Sequence, residues 1–251
     1  MSFWNFFRRK KQHLFELTDT DRSILLDKVK FYLQLDDQSR VKFETQVENF
    51  LNTTTITGIK TTVSQEDRIL IGASAIIPIF AFDEWEYKNL NEVLVYPEHF
   101  DEHFTIGSKS KYILGMVGNG FMEGTMILSK KSLHHGFNNK TDKLNTAIHE
   151  FIHLMDKSDG RIDGLIQGYN ENINVIPWIE LMNLKINEIQ KSKSDIRDYA
   201  ALNSAEFLAV TGEYFFERPR LLKKKHPKLY ALLSEFFEQN PALRHSKNIK
   251  H

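Results

Sequence analysis

The chain has 251 residues, enough for one large domain with a substantial hydrophobic core. Lysine plus arginine and aspartate plus glutamate both number 33, so no net charge steers the molecule toward nucleic acid, and nucleic-acid binding is not expected. The lack of cysteine excludes disulfides and thiolate metal sites, which leaves histidine and carboxylate as the strong metal ligands.

The N-terminal sequence MSFWNFFRRKK places its aromatic residues before its basic residues, the reverse of a secretory signal. We therefore expect a cytoplasmic protein. A weak membrane-surface role for this segment is an alternative to a frayed or docked terminus. No apolar run approaches the roughly 20 residues that span a bilayer, so no membrane span is expected.

Residues 18 to about 53 show the apolar spacing of helices. Thr18 with Asp21, and Ser64 with Asp67, have the spacing of helix capping boxes. The second pair precedes RILIGASAIIPIF, which is apolar on nearly every side. That pattern predicts a buried helix, with a buried strand as the competing interpretation.

The middle of the chain contains three short runs rich in β-branched or aromatic residues: EVLVYP (92 to 97), KYILGMV (111 to 117) and TMILS (125 to 129). We predict a small mixed or antiparallel sheet in which antiparallel pairs dominate. Helical patterns return at about 142 to 157, 177 to 191, 204 to 217 and 228 to 238, and Pro219 is expected to close the third. This order of elements predicts a mainly helical α+β fold.

The segment TAIHEFIHLMDKSDG, residues 146 to 160, contains the pattern H-E-x-x-H on a predicted helix. Thr141 or Asp142 could cap the start of that helix, and Gly160 could terminate it. The helix has an apolar surface and a polar stripe, so we expect it to be half-buried. A chance match on an ordinary core helix is the competing interpretation, but unpaired polar groups there would be costly.

His149 and His153 lie one turn apart on that helix, so both imidazoles can converge on one tetrahedral cation. Glu150 lies about a third of a turn away. Its carboxylate can therefore reach a metal-bound water, as the general base of H-E-x-x-H metallopeptidases does.

A catalytic zinc ion usually has a third protein ligand. The metzincin pattern would require glycine at position 156 and histidine at 159, where this chain has Asp156 and Asp159, so that class is excluded. Glu206 is the better candidate, although it could equally be the capping-box partner of Asn203. Glu213 is a weaker candidate for the ligand and could instead orient a histidine.

The segments IHEFIHLMD, DYAALNSAEFLAVTGEYFFERP and PKLYALLSEFF resemble the Mlc titration factor A family of zinc-dependent peptidases. Its members share H-E-x-x-H, a later tyrosine and, seven residues beyond it, an alanine-glutamate pair that opens a helix with EYFF near its end. The likeness extends more loosely upstream through RILIGASAIIPIF, EVLVYP and GTMILS. The catalytic core of anthrax lethal factor is similar in outline.

The resemblance implies a zincin-like fold with the H-E-x-x-H helix beside the small sheet. It implies Zn²⁺ bound by His149, His153 and Glu206, with Glu150 as the catalytic base and Tyr199 as a hydroxyl donor. Some relatives have a further histidine before the GTMILS-like strand, proposed as another metal contact. This chain has no histidine between positions 103 and 134.

From these arguments we expect a single zinc metallopeptidase domain over residues 1–251, with an N-terminal helical part (1–60) and a catalytic core (61–251). The expected activity is hydrolysis of peptide or protein substrates, aminopeptidase-like by resemblance, with the TMILS strand pairing with an extended peptide. The alternative is a regulatory protein that sequesters a transcriptional repressor and has a weakly active zinc site. The C-terminal helical pattern could then be a partner-binding face, or else a helix docked on the core.

Overall fold

The computed structural model describes residues 14–107, 112–118, 120–139, 142–165 and 175–244, and for Phe121 the backbone alone. The first elements, in chain order, are α1 (Asp19–Lys28), α2 (Lys30–Leu33), α3 (Asp37–Thr53), β1 (Thr55–Gly58) and α4 (Gln65–Ile79). Helices α1 and α4 begin at the two predicted capping boxes. In both boxes the side-chain oxygen of the N-cap residue and the aspartate carboxylate each accept a backbone hydrogen bond, which satisfies amides that have no partner within the helix.

Helix α4 is a central helix of the core. Every residue from Ile69 to Ile79 is buried, so the helical prediction for this segment is confirmed and the strand alternative is wrong. The absence of a side chain at Gly72 lets α3 approach closely, since a Cβ atom there would lie 3.0 Å from Val47. Burial of one large apolar side chain contributes about 1.5–3 kcal/mol, so this helix is a major source of stability.

The sheet contains β2 (Leu90–Tyr96), β3 (Gly115–Val117) and β4 (Gly124–Ser129) in the order β1-β2-β4-β3. Strand β2 pairs parallel with β1 and with β4, whereas β3 pairs antiparallel with β4. The mixed sheet is confirmed, but the expected dominance of antiparallel pairs is wrong. The reason is that α4 lies between β1 and β2 in the chain, and such a long crossover allows parallel pairing.

The second half of the chain is helical, as predicted. Its helices are α5 (Lys130–Asn138), α6 (Thr146–Asp156), α7 (Val175–Gln190), α8 (Ser204–Glu217), α9 (Pro219–Lys225) and α10 (Pro227–Phe236). Helix α8 has the predicted bounds. Helices α5 and α9 were not predicted. Helix α5 starts directly after β4, where the Ser129 side chain accepts a hydrogen bond from the amide of Ser132 at 3.2 Å.

Pro219 closes α8, as expected, and is also the first residue of α9. The apolar face of α10 is part of the core, with Leu229 and Leu233 fully buried and the ring of Phe236 stacked on Trp178 at 5.7 Å. One hydrophobic cluster extends from Leu17 to Phe237 and includes residues on both sides of position 60. The division of the chain at that position stays a prediction.

Within the described ranges, no helix combines the length and the apolar character that crossing a membrane requires.

Candidate metal centre

Helix α6 carries the H-E-x-x-H residues, and all of its residues are buried. The expectation of a half-buried helix is therefore wrong, because α4, α5, α8 and the sheet all pack against it. The predicted start is also too early. Asn145 is the N-cap and accepts a hydrogen bond from the amide of Ile148 at 3.2 Å, while Asp142 accepts hydrogen bonds in the preceding turn. Thr141 lies outside the described residues.

His149, His153 and Glu206 converge on one point. The two Nε2 atoms are 3.1 Å apart, and Glu206 Oε2 lies 3.1 Å from His149 Nε2 and 3.5 Å from His153 Nε2. The sequence therefore led to three side chains that the structure brings together, although α6 and α8 are separated by some 50 residues of chain.

The three atoms have the separations expected around a bound metal ion. For ligand bonds of about 2.0–2.1 Å, the edge of a tetrahedron measures about 3.3–3.4 Å, close to all three distances. In addition, Glu206 Oε2 is buried and receives no well-formed hydrogen bond from the described residues. A cation between the three side chains would satisfy this oxygen and both imidazole nitrogens.

The electrostatics of the cluster favour positive charge. Burial alone would lower the pKa of His149, but the carboxylates of Glu213 and Glu206 outweigh it and raise that pKa to about 10. Burial likewise opposes ionisation of Glu206, whereas contacts with both histidines lower its pKa to about 2. The cluster therefore favours an ionised Glu206 carboxylate next to a positive charge.

The local capping role considered for Glu206 is only half realised. Its backbone amide donates to Asn203 Oδ1 at 2.9 Å, so Asn203 caps α8 as predicted. A capping box would also need the Glu206 carboxylate on the backbone amide of Asn203. That carboxylate instead faces the two histidines, and the cap fixes its direction because it fixes the first turn of α8.

Glu213 lies behind His149 and is fully buried. Its Oε1 contacts His149 Nδ1 at 2.7 Å, and its Oε2 accepts a hydrogen bond from the backbone amide of Asn145 at 2.7 Å. The contact with Nδ1 leaves Nε2 of the same ring to face the centre, which is how outer carboxylates orient histidine ligands. The hypothesis that Glu213 orients a histidine agrees with these contacts.

Arg197 also donates to Glu213 Oε1, through Nη2. This guanidinium offsets the charge of a carboxylate that has no access to solvent. The residue was missed by the sequence analysis. The only signal was a basic side chain two positions before Tyr199, and nothing in its spacing indicated a partner on α8.

Glu150 points into the space beside β3. A Cβ atom on Gly115 would lie 2.7 Å from Glu150 Oε1, so a side chain there would displace this carboxylate from its position. Burial raises the pKa of Glu150. Its side chain therefore lies next to the outermost strand of the sheet and one residue from the first histidine.

Tyr199 lies on a short 3-10 helix, Asp198–Ala201, that precedes α8. Its hydroxyl lies 3.4 Å from Glu206 Oε1, and its ring centroid lies 6.0 Å from that of His149. The side chain is 48% exposed, so the hydroxyl borders both the centre and solvent. Partial burial and the charge of Glu206 raise its pKa to about 12, which keeps the phenol protonated at neutral pH.

Glu217, at the end of α8, belongs to the same hydrogen-bonded assembly. Asn145 Nδ2 donates to Glu217 Oε1 at 3.0 Å, so one asparagine joins the start of α6 to both Glu213 and Glu217. Burial is the main reason that the pKa of Glu217 rises from 4.5 to about 7. The negative charge of nearby Glu213 further opposes ionisation of Glu217.

We expect Glu217→Gln to change how stability depends on pH. Because the folded-state pKa is raised, the contribution of Glu217 is fully present below its unfolded pKa and is lost as pH rises through about 7. Because Glu217 is partly exposed, solvent screens this effect, and we expect the unfolding free energy to fall by about 2 kcal/mol. Urea unfolding at pH 5 and pH 8.5 should therefore show a smaller fall in unfolding free energy for Glu217→Gln than for wild type. Glu235→Gln, at an exposed position on α10, is the control and should behave like wild type. An equal fall in unfolding free energy between the two pH values for all three proteins would contradict the raised pKa of Glu217.

Comparison with known proteins identifies relatives of this chain. Residues 4–238 match the glucose-regulated metallo-peptidase M90 family. An uncharacterized protein of Synechocystis sp., slr2042, is 27% identical over 252 residues, which cover 96% of this chain and 91% of that protein.

Two relatives bear the name Mlc titration factor A. The protein of Escherichia fergusonii is 29% identical and that of Salmonella gallinarum is 30% identical, each over 173 residues that cover 64% of this chain and 63% of the relative. The match thus spans less than two thirds of these relatives. Together with the cluster of His149, His153 and Glu206, the family match indicates a metal-binding protein of the metallopeptidase type. Because the family match covers nearly the whole chain, this protein belongs to the glucose-regulated metallo-peptidase M90 family.

Proposed function

We propose that this protein is a zinc-dependent peptidase that hydrolyses peptide bonds with Glu150 as the general base. The observation that carries the proposal is the convergence of His149 Nε2, His153 Nε2 and Glu206 Oε2 to within 3.1–3.5 Å of one another, one residue from a buried glutamate. A structural metal site would be closed by a fourth protein ligand, whereas the three ligands found among the described residues leave a position for water and substrate.

Zinc is the metal that this set of ligands favours. Two imidazoles and one carboxylate with tetrahedral separations match the catalytic His₂Glu zinc sites of peptidases, and the chain has no cysteine to select softer metals. Magnesium and calcium prefer all-oxygen sites, so the two imidazoles argue against them.

When bound, zinc would polarise the substrate carbonyl and promote ionisation of an attacking water. Glu150 would accept a proton from that water and later deliver it to the leaving nitrogen, for which its position beside both the histidines and β3 is suitable. Tyr199 would donate its hydroxyl proton in a hydrogen bond to the developing oxyanion. Glu213 and Arg197 would hold His149 in its orientation throughout.

Strand β3 is better placed than β4 to bind an extended substrate. The expectation that the TMILS strand pairs with a peptide is wrong, because β4 lies between β2 and β3 and both of its edges are paired. Strand β3 lies at the end of the sheet and, among the strands that the structure describes, pairs with β4 alone. We therefore propose that a peptide adds to the outer edge of β3, alongside Gly115 and Glu150.

The experiment that tests this function combines metal analysis with digestion of a peptide library by purified protein, with and without a chelator. We expect about one zinc per chain and cleavage that stops on chelation and returns on addition of zinc. The products also test the aminopeptidase-like preference, which rests on family resemblance: single residues released from free N-termini support it, and internal cleavage contradicts it. Tightly bound zinc without any cleavage would contradict the peptidase function itself.

A second candidate function is regulatory binding of a transcriptional repressor. The observation that favours it is the name of two relatives, Mlc titration factor A, because a factor that titrates Mlc would bind it. Its test is capture of the Mlc repressor by the purified protein before and after chelation. Capture that survives chelation would favour a binding role independent of the metal centre.

A further inference from the structure

A pocket of about 400 Å³ lies where α8 meets α9, away from the metal centre. Four of the side chains that line it are basic: Lys30, Arg218, Arg220 and Lys224. We call this the basic pocket. Among the residues that the structure describes, those that line the pocket include no aspartate or glutamate. The lining is therefore one-sided in charge, although the acidic and basic residues of the whole chain are equal in number.

Arg220 is oriented by neutral groups. It donates through Nε to the carbonyl of Ala242 at 3.5 Å and through Nη2 to that of Arg244 at 3.2 Å. Backbone carbonyls direct this guanidinium without cancelling its charge, so it keeps its positive charge at the pocket. Lys30 differs, because its Nζ donates to the carbonyl of Glu217 at 3.4 Å and its charge also interacts with the carboxylate of that residue.

The chemistry of the basic pocket is that of a phosphate site. Guanidinium groups recognise phosphate oxygens with paired hydrogen bonds, and lysine adds a point charge. The rest of the lining includes Gln34, a further hydrogen-bonding group, and apolar residues such as Leu221 that could contact a carbon skeleton. A volume of about 400 Å³ suits a small organic solute, since ligand pockets measure roughly 300–1,000 Å³.

We propose that the basic pocket binds a small solute that carries at least one phosphate group. This site is separate from the proposed peptidase centre. Helix α8 has Glu206 in its first turn and ends beside Arg218, so its 1.5 Å rise per residue places the two sites about 18 Å apart. Binding in the pocket therefore needs neither the metal nor turnover.

The concave shape and the overall charge argue against larger polyanions. Duplex nucleic acid and anionic membranes are bound by extended positive surfaces, and their affinity grows with the number of contacts. Here the basic side chains surround one cavity, and the molecule as a whole has a formal net charge of zero. The pocket therefore fits one phosphate-bearing solute better than it fits a polymer or a bilayer.

The test is titration of the full-length, metal-loaded protein with inorganic phosphate at constant ionic strength, followed by ¹H–¹⁵N NMR. We expect saturable shifts centred on Arg218, Arg220 and Lys224. Lys224→Ala and Arg220→Ala should each weaken the apparent Kd about fivefold, as expected for loss of one partly solvated charge-assisted contact. Lys228→Ala removes an exposed lysine from α10 that does not line the pocket and should leave the Kd unchanged.

Two further arms identify the source of the phosphate. Vesicles of phosphatidylcholine with 10% phosphatidylinositol 4-phosphate test a lipid headgroup, and a short DNA duplex tests a polymer. Saturable phosphate binding that Lys224→Ala weakens, with no dependence of vesicle or duplex binding on that change, supports the proposal. Equal Kd values for wild type, Lys224→Ala and Lys228→Ala would overturn it, as would binding that is confined to vesicles or DNA.

Discussion

Glu150→Gln is expected to reduce kcat for peptide hydrolysis by about 10²–10⁴-fold, the usual contribution of a general base, while the protein keeps its metal. Glutamine has nearly the same shape as glutamate and fits beside Gly115, but its amide cannot accept the proton from the attacking water. Because burial raises the pKa of Glu150, a neutral side chain should not destabilise the fold. The measurement is kcat on the best peptide of the library, together with zinc stoichiometry and a thermal unfolding curve.

Glu180→Gln is the matched control, since Glu180 is exposed on α7. It should retain full kcat. If Glu150→Gln retains a tenth or more of wild-type turnover with one zinc per chain, another group acts as the base and the proposed chemistry fails.

Loss of zinc is the expected result of Glu206→Ala. This change removes the only carboxylate that faces both histidines among the described residues, so two imidazoles alone remain to bind the ion. The amide at position 206 can still donate to Asn203 Oδ1, so the start of α8 should be preserved. We expect the zinc Kd to rise at least 100-fold, beyond the roughly 10–100-fold typical of outer-sphere changes, and activity to fall with metal occupancy.

Competition with a chromophoric chelator measures the zinc Kd, and circular dichroism checks the helix content. Glu180→Ala serves as the control and should bind zinc like wild type. An unchanged zinc Kd for Glu206→Ala would show that the third ligand comes from elsewhere in the chain.

Local sequence signals predicted most of the helices and those site residues that lie close together in the chain. The H-E-x-x-H spacing placed two imidazoles on one face of α6, and Asn203 fixed the first residue of α8. The spacing alone did not decide the role of Glu206, because a capping-box partner and a metal ligand would both be a glutamate at this position. In the sequence, only the resemblance to a family favours the ligand role.

Long-range contacts were the part that the sequence did not reveal. The pairing of β2 with β1 and β4 depends on how α4 packs, and period-2 patterning in a short strand carries no information about its neighbours. The ion pair between Arg197 and Glu213 likewise joins a loop to a helix face, so no local rule predicts it. Asn145, the N-cap of α6, has hydrogen bonds with Glu213 and Glu217 of α8, and contacts of this range have no local signal in the sequence.

The close approach of Gly115 to Glu150 has a consequence for relatives that carry the same five-residue signature. A side chain at that strand position would compete with the glutamate carboxylate for the same space. On the proposed mechanism, a protein that kept both histidines but had valine there is expected to bind the ion and to hydrolyse peptides slowly. The residue at the strand position, read together with the signature, is then an expected marker of turnover.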